Sequence, residues 1–354
     1  MSAIKNLLLT SLASFSKSKN SIQDKEKPRI LVVSTTGLGD TLWGTPAIRA
    51  IKAWYPNSYL AFLTSPTGKD LLLHNPHIDE IFTLKNPALP SCITLLPQLK
   101  KKAFEIALIF HISQRPILPL CHFIHAKEII GSEGINKGLD SLLTKRVERK
   151  HQHEIERRLN LVKEIGVETE NPLMELHFTD EEKKEAEIFA MQYKTTQLIG
   201  FHPGSKDKFK QWDPRRFIEL GNRLFKEKNA KILITGNKEE VPLTEEIARK
   251  IPNAESIAGK FSLRKAAAII GQLDYFITND TGPMHIAFAL QTPTIALFSP
   301  TDPELCGPYG VPSGRVIYKK PTCTPCLRKS CHAPFCLEQI SSDEVFTIYD
   351  ENLF

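Results

Sequence analysis

A chain of 354 residues is longer than one hydrophobic core usually supports, and it points to two domains. Its 46 Lys and Arg against 40 Asp and Glu leave a net charge of +6, too weak and too dispersed to argue for nucleic acid. No apolar run nears the ~20 residues that span a bilayer, so no transmembrane helix is expected.

Residues 1–28 differ in character from the rest. Ile4, Leu8, Leu12 and Phe15 recur at helical spacing among Lys5, Lys17, Lys19, Lys25 and Lys27, with only Asp24 and Glu26 opposing them. Such a basic amphipathic leader suits an anionic membrane surface, or else is a weakly docked extension. From Arg29 the pattern changes. Ile30–Ser34 is a continuous β-prone run of the kind buried on both faces of a sheet. The turn 35–40 follows, and then a helix is predicted over Thr41–Trp54. Strands are predicted at Ser58–Leu63, Glu80–Leu84 and Ile106–Phe110, mostly with helical stretches between them. A charged, helix-prone stretch over 144–166 and a polar, acidic one over 171–194 separate this alternation from a second. There, strands at Leu198–Phe201, Lys231–Thr235, Tyr275–Thr278 and Thr294–Phe298 alternate with helices at Pro214–Phe225, Leu243–Lys250, Arg264–Ile270 and Pro283–Leu290. The expected fold class is therefore α/β, with two doubly wound, Rossmann-like lobes facing across a cleft, one over 29–175 and one over 176–354. Ligands of such sheets sit at the carboxyl ends of the strands.

Four loops at those ends carry chemistry. Thr35-Thr-Gly-Leu-Gly-Asp40 is not a dinucleotide fingerprint, because the third glycine would fall at Leu42 and the second strand has no acid for a ribose. What remains is a Gly37-x-Gly39 turn presenting the carboxylate of Asp40, as a functional group or as a helix N-cap. The second loop, His202-Pro-Gly204-Ser205, leads into Lys206, Lys208 and Lys210. It offers backbone N–H groups, a hydroxyl and positive charge, which suit a diphosphate as well as a solvated basic loop. In Asn279-Asp280-Thr281-Gly282-Pro283-Met-His285 a proline just inside a helix start directs an N-terminus at an anion. Asp280 would there order the loop or accept from sugar hydroxyls, and His285 would donate to phosphate or pack. Glu240, soon after a strand end in Gly236-Asn-Lys-Glu-Glu240, reads equally as a ribose ligand or a helix start.

In this order, and with Thr45-Pro-Ala47, His153-Glu154, Arg157 and Lys210-Gln-Trp212, these loops resemble glycosyltransferase family nine, the heptosyltransferases. The resemblance covers nearly all of 29–345. It implies a GT-B fold and an inverting, metal-independent transfer of a sugar, ADP-heptose being the donor, onto a lipid-linked inner-core saccharide of lipopolysaccharide. It places Asp40 on the family's general base and Lys210 on the lysine touching donor phosphate and sugar. Gly204 and Ser205 fall on the phosphate-side loop, Glu240 near the ribose, and Asp280, Thr281 and Gly282 on the donor loop. A family relative using another nucleotide-sugar, or a non-catalytic nucleotide-sugar-binding protein, are the alternatives. Such an acceptor would place the enzyme in the cytoplasm, peripherally at the inner face of the membrane, with no cofactor required.

Cys323, Cys326, Cys331 and Cys336 follow the pattern C-x2-C-x4-C-x4-C around His332. Four thiolates there suit a structural zinc, or alternatively free or redox-paired thiols. The scattered Cys92, Cys121 and Cys306 fit a reducing compartment.

Overall fold

The computed structural model describes residues 27–193, 196–324, 326–327, 331 and 335–351, so the basic leader lies almost entirely outside it. The chain divides into two units, 1–177 and 178–354. The α/β expectation holds in each.

The first unit is built on β1 (Arg29–Ser34), β2 (Tyr59–Thr64), β3 (Glu80–Thr83), β4 (Ile106–His111), β5 (Glu128–Ser132) and β6 (Lys145–Val147), paired in the order β3-β2-β1-β4-β5-β6. Every pairing is parallel. Alternate residues of the inner strands feed two separate cores. Leu31, Val33, Ala61, Leu63, Ala107 and Ile109 pack on one face, and Ile30, Val32, Leu60, Phe62, Ile106 and Leu108 on the other. This double burial is why these segments read as unbroken apolar runs.

The second unit repeats the plan with β7 (Leu198–His202), β8 (Lys231–Ile234), β9 (Ala254–Ser256), β10 (Tyr275–Asn279), β11 (Thr294–Phe298) and β12 (Gly314–Tyr318). Their order, β12-β11-β10-β7-β8-β9, is the same succession counted from the first strand of the unit. In both sheets the first and fourth strands are neighbours, and the chain leaves them in opposite directions. That is the switch point at which a crevice opens beyond the strand ends. The loops singled out by sequence after β1, β7 and β10 sit there, and the fourth follows β8.

The helix expected over Thr41–Trp54 is instead two helices, Leu38–Leu42 and Thr45–Trp54. Pro46 has no N–H to return to Leu42, so the ladder cannot run through. The Thr45 hydroxyl donates to the Leu42 carbonyl at 2.8 Å in its place. The break starts a helix beside β1 early enough to carry Asp40. The stretch 144–166 also departs from expectation. It opens with β6 and becomes helical only at Glu154–Lys163, where the His153 imidazole accepts the Ile155 N–H.

Candidate active site

In the first unit, Asp40 is the third residue of the helix Leu38–Leu42, whose N-cap is Gly37; Asp40 is therefore not the cap. Gly37 has extended backbone, and Gly39 is buried against the fold. The Thr41 hydroxyl closes the turn onto the Gly37 carbonyl at 3.1 Å. Across the switch point, Thr35 N–H donates to the carbonyl of His111 at the end of β4, and Ser113 N–H donates to the Thr35 hydroxyl.

Asp40 itself is held from the helix Glu154–Lys163. Arg158 Nη2 donates to Asp40 Oδ1 at 3.0 Å. Asp40 Oδ2 takes no hydrogen bond among the described residues, and the side chain is 23% exposed. Arg158 is fully buried, its guanidinium 5.2 Å from the Trp43 ring centroid. Glu154 Oε2 accepts from both neighbours, 2.6 Å from Arg158 Nη1 and 2.6 Å from Arg157 Nη2. Burial pushes the Glu154 carboxyl up, but the two arginines outweigh it and hold the group down to about 2. His111 faces the same cluster. Burial lowers its pKa, Asp40 opposes that shift, and the arginines add to it.

The second unit has a matching arrangement. Asn279, the last residue of β10, accepts the Trp212 N–H at 3.1 Å and donates to the Pro203 carbonyl at 2.8 Å. One side chain thus grips both ends of the loop that follows β7. Trp212 is buried against Phe217 and donates its indole N–H to the Ile340 carbonyl. Within the loop, Ser205 Oγ accepts the Asp207 N–H and the Ser205 carbonyl accepts from Gln211. Lys206 and Lys208 are exposed, whereas Lys210 Nζ lies 2.6 Å from Oδ2 of the buried Asp280. Of the three lysines, the one at 210 joins the loop after β7 to the loop after β10.

Gly204 meets Glu240 directly, since a Cβ at 204 would overlap the Glu240 carboxylate. Glu240 reaches this place while capping its own turn. Its Oε2 accepts the Asn237 N–H at 2.8 Å and Asn237 Oδ1 accepts the Glu240 N–H at 3.0 Å, a reciprocal capping box. The helix-start reading of Glu240 is therefore realised, with Oε1 left beside Gly204. His202 next door is buried, which lowers its pKa against the pull of Glu240, and its Nδ1 bonds the Thr235 hydroxyl.

Thr281 is the N-cap of the helix Gly282–Ala289, with Pro283 in its first turn, yet its side chain makes no capping bond. Its hydroxyl is buried and has no partner among the described residues. His285 is buried with its ring edge-on to Phe288.

The profile of glycosyltransferase family 9 (heptosyltransferase) matches residues 94–336, about two thirds of the chain and all of the second-unit site. The chain belongs to glycosyltransferase family 9. The match starts beyond the Asp40 loop, but similarity to single relatives takes in nearly the whole chain. Lipooligosaccharide heptosyltransferase 2 of Campylobacter jejuni is 23% identical over 332 residues, 90% of this chain and 96% of that protein. Among solved structures, a family 9 glycosyltransferase from Veillonella parvula superposes with a TM-score of 0.84 at 22% identity, covering 94% of this chain and 99% of that one. ADP-heptose LPS heptosyltransferase II of E. coli gives 0.75 at 21% identity, with 92% and 98% covered. At these identities the structural likeness speaks for the GT-B fold, and the family 9 profile for the glycosyltransferase.

Two residues of this site escaped sequence reasoning. Arg158 was not singled out, although it shares the buried face with Ile155, Leu161 and Val162, and that spacing was a usable signal. Asn279 was read only as part of a loop motif. Among the described residues no three His, Cys, Asp or Glu side chains gather to hold a metal, and His332 lies outside them. None of the cysteines is disulfide-bonded, and Cys336, on the helix Phe335–Glu338, takes the Thr322 N–H at 3.3 Å.

Proposed function

We propose that this family 9 glycosyltransferase moves heptose from ADP-heptose onto a lipid-linked inner-core saccharide of lipopolysaccharide, inverting the anomeric centre and using no metal. The first unit takes the acceptor and the second the nucleotide-sugar. The observation that carries the reading is the Asp40 carboxylate, anchored through Oδ1 by a buried arginine and open at Oδ2. A sugar hydroxyl is a poor nucleophile until a placed base takes its proton. The acceptor hydroxyl donates to Asp40 Oδ2, and its oxygen attacks the anomeric carbon on the face opposite the diphosphate. The bond from that carbon to the diphosphate oxygen breaks as the new one forms, and the electron pair leaves with ADP. Charge then grows on the departing phosphate. Lys210, the N–H groups at the start of the helix Gly282–Ala289 and the unpartnered Thr281 hydroxyl are the groups suited to receive it. Adenosine diphosphate as the carrier, and heptose as the sugar, are supported by the relatives named above.

The acceptor places the enzyme at the cytoplasmic face of the inner membrane as a peripheral protein. No helix among the described residues is long and apolar enough to cross a membrane. The test of the base is Asp40→Asn, assayed by ADP release from ADP-heptose on a lipid A–Kdo acceptor. Turnover should fall by about 10²–10⁴-fold while ADP affinity stays within about twofold. Near-normal turnover would remove Asp40 from that role.

A further inference from the structure

We infer that Arg158 is a positioning residue for the Asp40 base, an inference that rests on the reading of Asp40 given above. Arg157 and Arg158 are adjacent and share Glu154, but they do different things. Arg157 Nη1 donates to the Phe110 carbonyl at 3.0 Å and the Ser132 hydroxyl at 3.3 Å, and so braces β4 against β5. Arg158 sends its free nitrogen to the functional carboxylate.

Burial makes this arrangement costly. Arg158 is 0% exposed, and among the described residues its Nε has no partner. A buried guanidinium with an unsatisfied donor adds little to stability compared with an apolar side chain of the same size. Its retained geometry is explained by what it holds. Four restraints fix the guanidinium: the Glu154 carboxylate at 2.6 Å, the Glu154 carbonyl at 2.8 Å, the Trp43 ring, and Asp40. Trp43 follows directly on the helix that carries Asp40, so the two ends of the contact share one frame.

The charges are balanced. Arg157 and Arg158 face Glu154 and Asp40, and His111, the other titratable group against Asp40, is held toward its neutral form by burial. With Oδ1 committed to Arg158, the open oxygen of Asp40 has one orientation. Misplacing a reacting group by about 1 Å can cost about 10²-fold in rate, and this is the loss that Arg158 prevents.

Removal of Arg158 leaves no orphaned buried charge, because Glu154 keeps Arg157 and Asp40 is partly solvated. Arg158→Met should therefore fold, and Arg158→Lys keeps the cation without the fork. Both are assayed beside Asp40→Asn for kcat and KM on the lipid A–Kdo acceptor, for ADP affinity by calorimetry, and for thermal melting. Arg158→Met should lower kcat by about 10–100-fold with KM and ADP affinity within about twofold, and Arg158→Lys should recover part of the loss. A folded Arg158→Met or Arg158→Lys enzyme with unchanged kcat, beside an inactive Asp40→Asn, overturns the inference and leaves the base reading intact. An active Asp40→Asn overturns both. A fall in ADP affinity matching the fall in kcat also overturns it, since that marks a general structural role.

Discussion

Replacing Gly204 by alanine puts a Cβ inside van der Waals contact with Glu240 Oε1 and Cδ, and 2.8 Å from Oε2. The backbone at 204 is not left-handed, so the glycine is required by contact alone. The obstacle is the far end of a flexible side chain, and the cost is therefore set by what that end is doing. It accepts the Asn237 N–H at 2.8 Å, and the reciprocal cap is lost if it swings away. Loss of a helix cap typically costs about 1 kcal/mol. A change of that size lowers Tm by about 2–4 °C in a domain as large as the second unit. A displaced carboxylate also intrudes on the proposed phosphate loop, so ADP binding should weaken. The assay is urea and thermal unfolding of Gly204→Ala, Glu240→Ala and the double variant, with ADP titration of each. Once Glu240 is shortened the new Cβ has room, and the second substitution should cost almost nothing. If Gly204→Ala destabilises as much in the Glu240→Ala background as alone, Glu240 is not what excludes a side chain at 204 and the reasoning fails.

Lys210→Ala leaves the buried Asp280 without its cation. A loss of about 1–2 kcal/mol in stability should accompany about tenfold weaker ADP binding, and calorimetry showing unchanged affinity would refute the phosphate-side role. The Glu154 carboxyl, held down to about 2 against an ordinary 4.5, stabilises the fold above the ordinary value and loses that contribution as pH falls toward 2. Urea titrations between pH 5 and pH 2.5, a window set by that shift, should show wild type losing about 2–3 kcal/mol from this group. Glu154→Gln should be weaker at neutral pH yet show a shallower acid slope; parallel slopes would assign the acid sensitivity elsewhere. Dialysis against EDTA should leave turnover within about twofold, and a larger loss restored by Mg²⁺ would contradict the metal-free mechanism.

Most inner strands were legible because they are buried on both faces and so read as unbroken apolar runs, Leu31 to Val33 and Phe276 to Ile277 among them, although the inner strand Glu128–Ser132 was not predicted. Of the four border strands, only Glu80–Thr83 was predicted. Lys145–Val147 and Ala254–Ser256 are three residues each and carry charge, as exposed edges tend to, and Gly314–Tyr318 lies on the other border of its sheet. The helix over 41–54 was drawn too long because its apolar spacing continues past Gly44 and Pro46, and a missing N–H leaves no mark on periodicity. At the site, the residues at strand ends could be found from loop composition, since Gly37, Asp40, Gly204 and Asp280 stand next to recognisable strands. Arg158 reaches Asp40 across 118 positions of sequence, and only the pairing of β1 with β4 and the packing of the helix behind them bring the two together.

Asn279 has one further consequence. Because its oxygen holds Trp212 and its nitrogen holds Pro203, the ten residues 203–212 form a closed ring whose two ends are pinned at one point. Residues 206–209 can then lengthen, shorten or drift in composition without altering how β7 enters the loop or how the helix Pro214–Lys228 leaves it. Aspartate at 279 would lose the donor and serine would be too short to span both bonds, so tolerance in the middle of the ring depends on an amide at its clasp.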